Sequence, residues 1–262
     1  MWSSSPDPCR YGGSVDLTII GCSGSASGPG NPASSYLVRH DGFALLLDMG
    51  PGAFGGLWNE LHPRELDAIA LSHLHPDHCL DLCAFNVAAL YAPDAPWRRI
   101  PLFGPAHTRA RLTAAYEPVP GDESDWAIDF VTWQPVQRIG PFTVSLVPAR
   151  HSTEAYSVRL DVDGVSLVYS GDTGPSPALV ELARCADLLL AEASFVHSDD
   201  LPADLHLSAR QAAEHATAAG VRTLVLTHVP PWHSPEEAYA EARPHFDGEL
   251  VLARPGLTVP LA

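Results

Sequence analysis

Apolar and polar positions come in short blocks along this chain, and the blocks change period from one part to the next. VDLTII (15–20) has the length of a strand and empties into a loop of Gly, Ser and Pro, GCSGSASGPGNPASS. YLVRH and FALLLD then flank Asp41-Gly42, a two-residue turn signal that predicts a hairpin. LDAIALS (66–72) reads as a buried strand, and from about Asp81 to Tyr91 the pattern turns helical. Residues 93–135, rich in Pro, Trp and acidic side chains, show no clear period. After them FTVSLVPAR, YSVRLDV and VSLVYSGD predict strands, with Asp163-Gly164 as a second hairpin turn.

The last third alternates helix and strand. PALVELARC leads to ADLLLAEAS, SARQAAEHATAAG to VRTLVLTH, and SPEEAYAEARPHF to ELVLAR. Ser208 with Gln211, and Ser234 with Pro235 and Glu237, fit N-cap and capping-box patterns. The order of elements predicts an α/β fold with two β-rich halves joined near residues 118–126. Two sheets packed face to face, with helices on both outer sides, would bury such runs, and one domain over residues 1–262 is expected.

Composition narrows the function classes. Hydrophobic residues make up 46%, ordinary for a globular protein, and no apolar stretch reaches the roughly 18 residues of a membrane span. MWSSSPDPCRYGG has neither a basic start nor an apolar core, so no secretory signal is expected. The five cysteines, Cys9, Cys22, Cys79, Cys83 and Cys185, form no C-x-x-C pair, which favours a reducing, cytoplasmic setting. Cys79 and Cys83, four apart, are expected to share a helix face and pack in the core. Asp and Glu number 31 against 15 basic residues, all arginine, for a net charge of −16. Such a surface opposes binding of a long polyanion and leaves a small anionic substrate open.

Candidate chemistry concentrates at strand ends. In HLHPDHCLDL (73–82) the strand LDAIALS ends in His73, His75, Asp77 and His78, and neutral imidazole with carboxylate suits borderline divalent cations. His151 follows FTVSLVPAR, Asp172 sits in YSGDTG, Glu192 ends ADLLLAEAS and His228 ends VRTLVLTH. His206 stands two residues before the expected cap Ser208. Taken singly, each reads as a turn residue or a hydrogen-bonded histidine. As a set at the C-terminal ends of strands, they point to a metal centre.

In that order these residues resemble the metallo-β-lactamase-fold hydrolases, and within them the ribonuclease Z-like branch. GCSGSASGPG, Glu192-Ala193-Ser194 and His206-Leu207-Ser208 carry the closer match. The resemblance implies an αββα sandwich holding two divalent metal ions, Zn²⁺ foremost, with Mn²⁺ or Fe also suited to the ligand set. It implies His73, His75 and His151 on the first metal, Asp77, His78 and His228 on the second, and Asp172 bridging. Such a pair activates water and clamps a phosphoryl oxygen. His206 is the candidate acid for the departing alkoxide, with Glu192 to orient it, and Asp77 is a further candidate to orient the attacking water. The helix start at Ser208 favours an anionic substrate nearby.

Two features depart from the tRNA-processing members of that branch. The loop PGNPASS carries no basic residue, and only 21 positions separate His151 from Asp172, too few for a tRNA-gripping arm. The stretches GCSGS, HCLDL, HSTE, YSGDTG, DLHLS and THVPPW resemble an atypical bacterial cyclic-nucleotide phosphodiesterase group of the same branch. That resemblance implies hydrolysis of 3′,5′-cyclic AMP to 5′-AMP. Ribonuclease Z-type cleavage at the tRNA 3′ end ranks second, ahead of lactone or thioester hydrolysis and a non-catalytic metal-bound scaffold. The partners expected are a small phosphodiester and, by analogy, a second copy of the chain, with neither nucleic acid nor membrane. Phe195, Trp232 and Trp58 are candidates to stack on a base, Arg98 and Arg99 to reach a phosphate, and His233 to line the cleft.

Overall fold

The computed structural model describes residues 14–116, 126–202 and 204–261. The N-terminal segment with Cys9, and all of the expected junction at 118–126 except Trp126, lie outside the described residues. Six strands cross the first sheet in chain order: β1 (Val15–Gly21), β2 (Ser35–His40), β3 (Phe43–Leu47), β4 (Ala68–Ala70), β5 (Ile100–Gly104) and β6 (Ile128–Thr132). The second sheet runs through β7 (Val136–Ile139), β8 (Phe142–Pro148), β9 (Tyr156–Val162), β10 (Val165–Tyr169), β11 (Leu188–Glu192), β12 (Thr223–Thr227) and β13 (Glu249–Leu252). The last strand, β14 (Thr258–Leu261), returns to the first sheet beside β1.

Each sheet is half antiparallel and half parallel. β1 to β3 and β7 to β10 are antiparallel ladders, whereas β3 to β6 and β10 to β13 are parallel. Both expected hairpin turns form. Asp41 and Gly42 have φ of 46° and 81°, and Asp163 and Gly164 have 49° and 84°, the doubly positive pattern that matches strand twist.

Strict alternation sends Leu45, Leu47, Leu188, Leu190 and Val225 between the sheets, where they meet Leu17, Val38, Val144 and Leu160. Their neighbours Ala44, Leu46, Leu189, Ala191, Leu224 and Leu226 face outward under helices. Cover on both faces explains why these strands read as unbroken apolar runs. On the first sheet the outer layer is α1 (Ala53–Leu57), α2 (Pro76–Cys79), α3 (Leu82–Tyr91) and α4 (Thr108–Tyr116). On the second it is α5 (Pro177–Leu182), α6 (Ala209–Ala219) and α7 (Pro235–Ala242). The architecture is the expected αββα sandwich, and no helix of the described residues is long and apolar enough to cross a membrane.

Some expectations need correction. The chain passes between the sheets at 133–135, after the expected junction, and β14 rejoins the first sheet, so the halves are not strictly sequential. The helix expected over PALVELARC stops at Leu182, and Cys185 beyond it takes a left-handed backbone, φ 53°. α7 ends before Arg243-Pro244, where proline cannot continue the ladder. Cys79 and Cys83 fall on different helices, α2 and α3, though both stay in the outer packed layer of the first sheet.

Candidate metal centre

The C-terminal ends of β3, β4, β10, β11 and β12 open on one rim of the sandwich, and Asp48, His73, Asp172, Glu192 and His228 follow or end those strands. Pro76 at the first helical position turns the chain into α2, which carries Asp77 and His78 inward. The hairpin of β9 and β10 occupies the interval between His151 and Asp172.

Two groups of converging ligand atoms result. His73, His75, His151 and Asp172 each offer one atom within 4.8 Å of the others, and so do Asp77, His78, Asp172 and His228. Asp172 is the shared member, with Oδ2 3.7 Å from His73 Nε2 and Oδ1 3.3 and 3.4 Å from the Nε2 atoms of His78 and His228. All seven residues proposed from sequence as ligands meet here, and all but His75 and His151 are buried.

Hydrogen bonds on the far side of each ring fix which nitrogen faces inward. A carboxylate or carbonyl oxygen only accepts, so His78 Nδ1–H donates to Asp48 Oδ2 at 2.8 Å and His151 Nδ1–H to the Leu205 carbonyl at 2.8 Å. The Ser72 hydroxyl donates to Asp48 and accepts from His73 Nδ1–H at 3.0 Å. The Ser194 hydroxyl donates to Glu192 Oε2 at 2.8 Å and accepts from His228 Nδ1–H at 2.7 Å. Four imidazoles thereby turn Nε2 toward the centre, whereas His75 presents Nδ1, 3.0 Å from His151 Nε2.

This donor set fits divalent cations. His78 Nε2 and His228 Nε2 stand 3.1 Å apart, and buried His73 Nε2 and Asp172 Oδ1 have no hydrogen-bond partner. Acceptor atoms crowded at such distances repel one another unless positive charge lies among them, and a divalent cation at their focus would satisfy every one. Electrostatics agree. Burial disfavours the carboxylate of Asp172, yet His228, His78 and His73 outweigh it and hold its pKa well below the usual range. Burial likewise opposes charge on His78, but Asp172 and Asp48 raise its pKa well above that of ordinary histidine. A metal held at His78 Nε2 would displace a proton from that ring.

Beside the centre, His206 directs Nδ1 at both oxygens of buried Glu192, 3.0 and 3.1 Å away, which leaves Nε2 free. Burial lowers the His206 pKa, but the hydrogen bond and charge of Glu192, with Asp172 and Asp77, more than reverse that, and the net shift is upward. Glu192 also accepts from the Thr173 amide at 2.7 Å, tying the dyad to the turn that bears Asp172. Ser25 N–H donates to Asp77 Oδ2 at 2.9 Å, so the Gly/Ser loop closes over this carboxylate. His228 Nε2 and His78 Nε2 stand 3.2 and 3.3 Å from Asp77 Oδ2, and these two rings overcome the burial that would raise the Asp77 pKa and drive it down.

Some expected contributors stand elsewhere. Trp58 packs with Phe54, His62 and Trp97, Arg98 pairs with Asp67, and Arg99 pairs with Asp129, so none of the three faces the centre. Phe195 does approach, edge-on to His206 at 5.2 Å between ring centres, and His233 lines a small notch with Phe195 and Val229. Trp232 is exposed near His233. A separate group, His40, Asp41 and Asp163, lies at the hairpin turns on the opposite rim. Its buried His40 Nδ1 lacks any partner, so a metal on Nε2 would strand a buried N–H there.

Residues 44–229 match the beta-lactamase superfamily domain. The chain belongs to that superfamily. It is 44% identical over 242 to 243 residues to mycobacterial proteins, among them Rv1339 of Mycobacterium tuberculosis, covering 90% of this chain and 89% of that one. It is 30% identical to the ribonuclease Z of Mycobacterium bovis, covering 90% and 94%. The crystal structure of the metallo-beta-lactamase fold protein YhfI from Bacillus subtilis superposes with a TM-score of 0.83 at 26% identity, covering 94% of this chain and 99% of that one. The ribonuclease Z-like branch is therefore right, and the protein is a metal-dependent hydrolase.

The sequence pattern marks neither Asp48 nor Ser194 as a site group. Asp48 ends FALLLD as one acid after an apolar run, and its left-handed backbone, φ 57°, has no local signature. Ser194 lies inside Glu192-Ala193-Ser194, and its link to His228 emerges only when β11 and β12 pair.

Proposed function

We propose that this protein hydrolyses a small phosphodiester, 3′,5′-cyclic AMP foremost, with His73, His75, His151, Asp77, His78 and His228 holding two Zn²⁺ ions and Asp172 bridging them. The observation that carries the reading is the His206–Glu192 pair at 3.0 Å beside the shared Asp172. When bound, two such cations supply an activated water and neutralise phosphoryl charge. His206, held protonated by Glu192, donates from Nε2 to the oxygen that leaves phosphorus. Asp77 orients the attacking water, and Glu192 and Thr173 keep the imidazole from rotating. A ring phosphodiester is small and singly charged, so it suits a protein of net charge −16.

Ribonuclease Z-type cleavage is the second reading, favoured by the 30% identity to a ribonuclease Z. Against it, only the β9–β10 hairpin separates His151 from Asp172, and Arg98 and Arg99 are engaged by acids away from the centre. The test is release of AMP from cyclic AMP by metal-loaded protein, with Asp172→Ala alongside and precursor tRNA as competing substrate. AMP from the wild type alone is expected. Cleaved tRNA with untouched cyclic AMP would overturn the small-diester reading.

A further inference from the structure

His206 arrives on a loop that leaves β11 and re-enters the fold at Ser208, and much of that loop is exposed. Its ring is fixed by Glu192, but a general acid also needs a fixed backbone. Two bonds reach the backbone next to it: Leu205 C=O accepts from His151, and Phe195 N–H donates to Leu207 C=O at 3.1 Å. A third tie comes from Arg150. Its Nε stands 3.0 Å from Asp204 Oδ1, and its Nη1 donates to the Pro175 carbonyl at 2.8 Å. Its backbone N–H donates to Thr173 Oγ1 at 3.0 Å, and its carbonyl accepts from Gly174 N–H at 2.7 Å. One residue thus joins three segments at points one to three positions from His151, Asp172 and His206.

We propose that Arg150 is a positioning residue for His206, acting through Asp204 on one side and the turn after Asp172 on the other. The proposal rests on the reading of His206 as the acid of a phosphodiesterase. In that step the bond from phosphorus to the leaving oxygen breaks, and its electron pair stays on that oxygen. His206 Nε2 delivers the proton there, water supplies the new oxygen on phosphorus, and a water proton restores the imidazolium. Misplacing an acid by about 1 Å costs on the order of 100-fold in rate, although a half-exposed ion pair contributes little to stability. The planar fork of arginine reaches Asp204 and Pro175 at once; lysine reaches one of them.

Leaving-group dependence tests this. Aryl phosphodiesters running from p-nitrophenyl to phenyl, with cyclic AMP as the alkyl member, need increasing help from an acid. Arg150→Met and Asp204→Asn are each expected to slow the basic leaving groups roughly 10- to 100-fold. The p-nitrophenyl ester should stay within about twofold, with bound metal unchanged, and Arg150→Lys should fall between. His206→Ala is run in parallel and should show the same selectivity in stronger form. If His206→Ala slows all esters equally, the acid reading fails and takes the proposal with it. If His206→Ala is selective but Arg150→Met slows every ester equally, or none, the acid reading stands and the positioning role is overturned.

Discussion

Asp48 Oδ2 lies 2.8 Å from His78 Nδ1, and both side chains are fully buried. The same carboxylate accepts from the Ser72 amide, the Ser72 hydroxyl and the Tyr169 phenol at 2.7, 2.7 and 2.8 Å. One charge therefore orients His78 directly and His73 through Ser72, one ligand from each group. Asp48→Asn keeps the shape, loses the charge and forces an amide N–H against at least one donor. It is expected to weaken metal binding about 10- to 100-fold, as loss of a carboxylate behind a ligating histidine does. Chelator competition against the wild type would measure this, and equal affinities would refute the orienting role.

Metal uptake should release protons. Asp172 and Asp48, against the burial of the ring, raise the His78 pKa well above 6.5, so the metal-free protein carries a proton at this imidazole near neutral pH. A cation must displace it, and apparent affinity should rise with pH until the folded-state pKa is passed. Calorimetric titration of metal in two buffers of different ionisation enthalpy would show the release; identical heats in both would contradict it.

The layers of the fold and the ligand positions were legible because each rests on local pattern. Unbroken apolar runs at 44–47 and 188–191 announced strands covered on both faces, and Asp41-Gly42 and Asp163-Gly164 fixed two turns. What stayed hidden depends on pairing distant in sequence. β14 is short and broken by Pro260, and only its ladder with β1 makes it a strand. Pro101 likewise interrupts β5, whose parallel neighbours β4 and β6 define it. Asp48 sits one residue past a strand, and nothing local marks that Ser72, His78 and Tyr169 will converge on it.

Close approach of backbones at the rim allows no side chain at one glycine of the loop after β3. A Cβ built on Gly50 would stand 1.9 Å from the carbonyl oxygen of Asp77, where the neighbour is main chain and cannot rotate away. Gly50→Ala must push α2 and its two candidate ligands outward. A cost of about 1–3 kcal/mol is expected, with reduced metal content. Thermal unfolding and metal analysis would check this; a fully loaded variant with unchanged Tm would show that the rim yields easily.

Glu192 sets the basic limb of the pH–rate profile. Burial lowers the His206 pKa, and Glu192, by hydrogen bond and charge, leads the groups that raise it overall. An acid must be protonated to act, so activity through His206 is present at low pH and lost as pH rises through its folded-state pKa. The linked stability has the same sign: it is fully present below the unfolded value of 6.5 and is lost as pH rises through the elevated folded value. Glu192→Gln keeps a hydrogen-bond acceptor for Nδ1 and removes the charge. The His206 pKa should fall, and the basic limb should move to lower pH while the acidic limb holds. His206→Ala should abolish that limb for substrates with alkoxide leaving groups. A Glu192→Gln profile superimposable on the wild type would mean that another group carries the basic limb, and His206 would lose its assignment as the acid.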